Sequence, residues 1–153
     1  MRHYAVTLLP LLLMSTCGAQ QLLKVEECKA SAKESIPGFK NITLSPCDKD
    51  PCVINKGEKY NVTFYAEATD DADYLMVSDS EQQQTDTINI QSARSISCYY
   101  IDVPCNVTKG EVFRGSVTLR ILGAFAPGNL TYKLGVGHGK RTFACGVSNL
   151  IVE

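Results

Sequence analysis

Seven cysteines stand in the 153 residues, and six of them, Cys28, Cys47, Cys52, Cys98, Cys105 and Cys145, lie beyond position 19. Two intervals are short, Cys47 to Cys52 and Cys98 to Cys105. An even set at such spacings reads as a disulfide framework. Three bridges restrict a small chain to folds that bring each pair of sulfurs into contact. Which cysteine pairs with which, spacing alone leaves open.

A disulfide framework needs an oxidising compartment, and the start of the chain carries an export signal. Arg2 and His3 form a short basic start, Val6 to Met14 an apolar run, and Cys17-Gly18-Ala19 a small-residue cleavage site. The run falls short of the roughly 20 residues that a spanning helix needs. Residues 1–19 are therefore expected to leave as a signal peptide, taking Cys17 with them, and residues 20–153 to form one mature domain. Four sequons follow, at Asn41, Asn61, Asn106 and Asn129, each a glycan acceptor only in the secretory pathway. The expected location is outside the cell or in a lumen such as the lysosome.

About 134 residues then remain, one domain by size and large enough for a real core. Disulfides worth roughly 2–4 kcal/mol each would supply a good part of its net stability. With Arg2 removed, 14 basic residues stand against 16 acidic ones, a balance of −2. That balance points to neither nucleic acid nor an anionic membrane surface as a partner. A monomer is expected.

Short alternating segments divided by turn residues recur along the chain, with no long stretch of helical period. Strands are expected over 22–28, 39–44, 59–68, 74–78, 85–91, 115–122, 130–136 and 142–152. Asn55-Lys56-Gly57, Thr69-Asp70-Asp71, Lys109-Gly110, Ala126-Pro127-Gly128 and Gly137-His138-Gly139 are expected turns, and Gln82 to Gln84 a polar loop. Strands at this spacing make an all-β sandwich or barrel.

The sequons also set the faces of the strands, because a glycosylated Asn must meet solvent and strand side chains alternate. With Asn61 and Thr63 outside, Tyr60, Val62, Phe64 and Ala66 point inward. With Asn129 and Thr131 outside, Leu130, Tyr132, Leu134 and Val136 do. The same parity turns Val117, Leu119 and Ile121 inward, and separates Ile88 and Ile90 from Asn89 and Gln91. The expected inner faces are apolar and almost free of charge.

The segment Ser45-Pro46-Cys47-Asp48-Lys49-Asp50-Pro51-Cys52, followed three residues later by Lys56-Gly57, resembles the S-P-C-x3-P-C-x3-K-G signature of the ML lipid-recognition family. Within that family the chain is similar to the Niemann-Pick type C2, or epididymal secretory, proteins. The likeness spans the mature chain, from early Cys28 through the two close pairs to Cys145. It implies Cys28 bonded to Cys145, Cys47 to Cys52 and Cys98 to Cys105. It also implies an immunoglobulin-like β-sandwich of two antiparallel sheets that part to hold a lipid between them. Ile121 and Phe125, with Pro127 nearby, match residues at the pocket mouth of sterol-carrying members, and Ile88 and Ile90 match a second pocket segment. Together with the inward strand positions, the resemblance implies a lipid-lining set of Val62, Phe64, Ile88, Ile90, Phe113, Val117, Leu119, Ile121, Phe125, Tyr132 and Leu134.

The chain departs from the sterol carriers in two places. Residues 85–97 contain no proline, and Gly146 stands where those proteins have tryptophan after the last cysteine. Fewer rigid rings at the mouth would suit a slimmer or more adaptable ligand. Besides sterol transport, the resemblance allows an extracellular carrier of fatty acids or semiochemicals, or a lipid-sensing protein of innate immunity. A membrane or membrane-protein acceptor would receive the lipid.

Catalytic readings are weaker. His138 sits in a glycine-rich turn between strands, where a phosphate loop would need a following helix. Asp70, Asp71 and Asp73 do not have EF-hand spacing and read as a solvated turn. A cysteine nucleophile needs a free thiol beside a histidine, and zinc on Cys47, Cys52, Cys98 and Cys105 would need a reducing compartment. The sequence points to a binding protein with no enzymatic activity, cofactor or metal.

Overall fold

Period-two alternation, strongest where β-branched and aromatic residues take every second place, builds two facing sheets. The computed structural model describes residues 19–29, 36–87 and 89–153. The expected signal peptide, up to residue 18, and Ile88 lie outside the described residues. The strands are β1 (Gln21–Leu22), β2 (Glu26–Glu27), β3 (Asn41–Ser45), β4 (Val53–Ile54), β5 (Lys59–Glu67), β6 (Met76–Gln84), β7 (Asn89–Ser97), β8 (Val112–Arg120), β9 (Gly128–His138) and β10 (Arg141–Val152), with one 3-10 turn at Cys98–Tyr100.

One sheet runs β1-β3-β5-β8; the larger runs β2-β10-β9-β6-β7, with β4 added parallel to the end of β10. The other strand pairings are antiparallel. The expected strand over 22–28 is in fact two short ones. The chain pairs with β3 at Gln21–Leu22, buries Leu23, and pairs with β10 at Glu26–Glu27, so its first segment joins both sheets.

Three further expectations are corrected. The polar run Gln82 to Gln84 is the end of β6, held on both sides by β7 and β9, where a loop was expected. The strand expected over 85–91 begins at Asn89 and continues to Ser97, because Thr85 to Thr87 lie in the connection between β6 and β7. The last turn falls at Gly139-Lys140 rather than at Gly137-His138-Gly139, with Gly139 at a φ of 58°, a conformation that glycine adopts without strain.

The disulfides join Cys28 to Cys145, Cys47 to Cys52 and Cys98 to Cys105, with Cα–Cα distances of 5.5, 5.7 and 5.3 Å. The first fastens the β2 segment to β10 beside it in the larger sheet. Apolar side chains from both sheets form a single core, in which Leu44, Val62, Phe64, Leu119, Leu130 and Leu134 have no exposed surface. Each such side chain contributes about 1.5–3 kcal/mol by leaving water.

Candidate functional site: the facing inner surfaces of the two sheets

The four-stranded sheet turns one apolar surface inward. Tyr60, Val62, Phe64 and Ala66 of β5 alternate inward along the strand, and across β8 their register partners are Leu119, Val117, Gly115 and Phe113. On the other side Ile42 and Leu44 of β3 face Phe64 and Val62. A Cβ at Gly115 would collide with the Phe64 ring, so the glycine is what leaves room for this ring against β8. The only polar atom these positions add is the Tyr60 hydroxyl, which accepts from the Asn55 N–H at 2.8 Å and donates to Glu58 at 3.1 Å. Beyond β8, Ile121 and Phe125 are each 1% exposed and close the end of the same surface.

The six-stranded sheet is different, and here the expectation of inner faces almost free of charge is overturned. Its inward positions on β6 are Val77, Asp79, Glu81 and Gln83, all buried. Asp79 and Gln83 each have a partner that makes burial affordable. Arg94 lies opposite Asp79 on β7 and grips its carboxylate with Nε at 2.6 Å and Nη2 at 2.5 Å. That two-pronged geometry is the strongest form of such a pair. Nη2 also donates to the Thr118 carbonyl of β8, so one side chain links the edge strands of the two sheets. The fork to Asp79 holds the Arg94 guanidinium above its usual pKa.

Gln83 serves as a clamp. Its Nε2 donates to the Ala126 carbonyl and its Oε1 accepts from the Ala126 N–H, both at 2.8 Å, which fastens the segment carrying Phe125 to β6. Between these two satisfied groups lies Glu81, with Tyr132 opposite it on β9 and Ser92 on β7. Burial, and secondarily the Asp79 charge, push the Glu81 carboxyl above its usual pKa; the Ser92 hydrogen bond works the other way. Burial also pushes the Tyr132 phenol well above its ordinary value, reinforced by both carboxylates.

The structure places the implied lipid-lining residues as follows. Val62, Phe64, Phe113, Val117, Leu119, Ile121, Phe125, Tyr132 and Leu134 are all buried between the sheets, and Ile90 is partly buried beside them. Ile88 is outside the described residues. At Gly146, which pairs with Leu134, the space for a larger side chain is already taken: a Cβ there would collide with Val25 and crowd Phe39. Phe39 in turn lies 5.2 Å from the Phe64 ring. Three surface grooves, of about 490, 400 and 500 Å³, are lined by other residues, around Asp71 and His138 and around Val25 and Pro51.

The sequence reading missed Asp79, Glu81, Gln83, Ser92 and Arg94. A signal for them existed: a hairpin centred on Thr85 to Thr87 sets Asp79 opposite Arg94, a cross-strand pair of opposite charge. Elsewhere the residues weighed for catalysis have structural partners. The Asp71 carboxylate accepts from the Lys109 N–H at 2.8 Å, and His138 Nδ1 lies 2.9 Å from the Tyr74 carbonyl. Among the described residues no group of His, Cys, Asp and Glu is arranged to hold a metal ion. The four sequon asparagines, Asn41, Asn61, Asn106 and Asn129, are exposed.

Comparison with known proteins places this arrangement. The profile of the ML domain matches residues 23–150. No curated protein sequence matches the chain at a significant level. Among solved structures, a Niemann-Pick type C2 protein from the Japanese carpenter ant superposes with a TM-score of 0.65 at 14% sequence identity, covering 85% of this chain and 99% of that one. The sporulation control protein Spo0M from Bacillus subtilis gives a TM-score of 0.44 at 12% identity over 73% of this chain and 48% of its own. An alkylpurine DNA glycosylase, AlkC, from Pseudomonas fluorescens gives 0.42 at 20% identity over 68% of this chain and 28% of its own. Scores that low bear on neither fold nor function.

Proposed function

This chain belongs to the ML-domain family, and we propose that it is an exported carrier, extracellular or lysosomal, that holds a sterol or similar apolar lipid between its sheets and passes it to a membrane or an acceptor protein. Family membership supports a lipid-binding protein. The observation that carries the reading is the continuous apolar surface of β5 and β8, closed at one end by Ile121 and Phe125, facing a second sheet across the core. Such a surface binds by removing apolar area from water, worth roughly 25 cal/mol per Å². Specific lipid sites are built this way, mostly apolar with a few placed polar groups. In this reading the work is binding and transfer, with no chemical step.

Native mass spectrometry of the purified protein, with extraction and identification of what it carries, tests the proposal. The expected result is a co-purified or exchangeable lipid at one per chain. A protein that stays empty and ignores sterols, fatty acids and other apolar probes would contradict it. Phe125→Ala is expected to weaken sterol binding about tenfold, as the loss of one buried ring implies.

A second reading, an extracellular carrier of fatty acids or semiochemicals, is favoured by the packing at Gly146. Val25 and Phe39 fill the space beside it, which narrows that end of the interior. Competition between a fluorescent sterol and long-chain fatty acids separates the two readings.

A further inference from the structure

Across the inner face of the larger sheet, Ser148 of β10, Tyr132 of β9, Glu81 of β6 and Ser92 of β7 stand in one register row. Three of them are almost fully enclosed: Ser148 at 4%, Tyr132 at 1% and Glu81 at 5% exposure. Neighbouring rows are apolar or internally satisfied, because Asp79 is held by Arg94 and Gln83 by Ala126. The Tyr132 hydroxyl is the exception among the described residues. It stands in the field of Asp79 and Glu81, Asp79 close enough to raise its pKa, yet it has no partner at hydrogen-bonding geometry.

A buried hydroxyl left without a partner forfeits its hydration with nothing in return, so such a group calls for an explanation. A ligand that supplied the missing partner would recover that cost on binding. We propose that Tyr132 and Glu81 form a polar anchor inside the sandwich, which seats the hydroxyl head of an alcohol-type lipid while its apolar body lies against β5 and β8. The inference rests on the carrier reading and adds to it the head-group class and the direction in which the lipid enters, head inward.

The chemistry of the row selects the head. An alcohol both donates and accepts, so it accepts from the Tyr132 O–H while donating to the Glu81 carboxyl. A carboxylate head could not donate, and it would add a third negative group beside Asp79 and Glu81. Among the described residues the cation paired into this row's neighbourhood is Arg94, whose Nε and Nη2 already serve Asp79 and Thr118. An alkane leaves the Tyr132 hydroxyl as it was. The expected order of affinity is therefore alcohol, then alkane, then carboxylate, with about tenfold between alcohol and alkane, the worth of one or two well-made hydrogen bonds.

The test is displacement of an apolar fluorescent probe from the delipidated protein by a long-chain alcohol, the alkane and the carboxylic acid of equal chain length, at a pH where the acid is ionised. Tyr132→Phe is expected to erase the advantage of the alcohol over the alkane, and Glu81→Gln to narrow the gap between alcohol and acid. A merely structural tyrosine would change the melting temperature of Tyr132→Phe and leave the alcohol-to-alkane ratio where it was. Equal displacement by alcohol and alkane in the parent protein, or an alcohol advantage that survives Tyr132→Phe, overturns the anchor but leaves the carrier standing. A probe that never binds overturns both.

Discussion

The inward positions of β5 and β8 on one sheet are all apolar or aromatic apart from the close-packed Gly115, whereas three of the four on β6 in the facing sheet are Asp79, Glu81 and Gln83. Both surfaces are equally buried, so the difference is one of chemistry and not of solvent access. Apolar contacts are non-directional, and a surface made of them fits many shapes. Buried charges must meet specific partners, and replacing a buried pair with apolar residues is often neutral or stabilising. An acidic strand kept inside a lipid-binding fold therefore has uses other than raw stability: it links the sheet edges through Arg94, anchors the Phe125 segment through Gln83, and leaves Glu81 and Tyr132 facing the interior.

The contrast can be broken from either side. The largest effect is expected on the apolar side, where Phe64→Ala removes a ring packed against Gly115 and Phe39 and should cost about 3–5 kcal/mol in urea unfolding. On the polar side, Arg94→Ala leaves Asp79 buried without its cation and should cost about 3 kcal/mol, the low end for a buried pair because Arg94 is partly exposed. The double replacement Asp79→Leu with Arg94→Met should recover most of that loss and fall within about 1 kcal/mol of the parent. Failure of the double variant to recover would mean that the link from Arg94 to Thr118, not the charge pair, holds the edges together.

The smallest effect is a pH slope. The Glu81 pKa is raised in the folded protein, so the folded state keeps a proton that the unfolded chain releases above about 4.5. Stability from this group is therefore fully present below that pH and declines as pH rises through the folded value. The groups around it are Asp79 on its own strand, Arg94 and Ser92 on β7 and Tyr132 on β9; the inward positions of β5 and β8 in the opposite sheet, Val62, Val117 and Leu119 among them, carry no charge. Glu81→Gln should flatten this slope and raise stability at neutral pH, measured by thermal unfolding across a pH series. An unchanged slope would place the titration elsewhere.

The same contrast explains what the sequence disclosed. Val62, Phe64, Val117, Leu119, Leu130 and Leu134 are legible because period-two apolar alternation has one physical meaning, a strand with one face in the core. Asp79, Glu81 and Gln83 keep the same period, but their types are those of a surface loop. Arg94, 15 residues beyond Asp79, and the Ala126 backbone, 43 beyond Gln83, make the inward placement tolerable. Long-range pairing of that kind is invisible to a local pattern. Nothing in Leu22 to Cys28 marks where the chain leaves β3 for β10, so the pattern suggests one strand where the fold has two. The disulfide pairing came from family resemblance, since six cysteines by themselves do not choose their partners.

The central claim, a lipid held between the two sheets, is tested most directly by methyl NMR of the delipidated protein during titration with a sterol. Shifts are predicted at Val62, Val117, Leu119, Ile121 and Leu134, on both inner faces and saturating together at one ligand per chain. Shifts confined to surface groups such as Leu22, Val112 and Leu122, with the interior methyls unmoved, would contradict it.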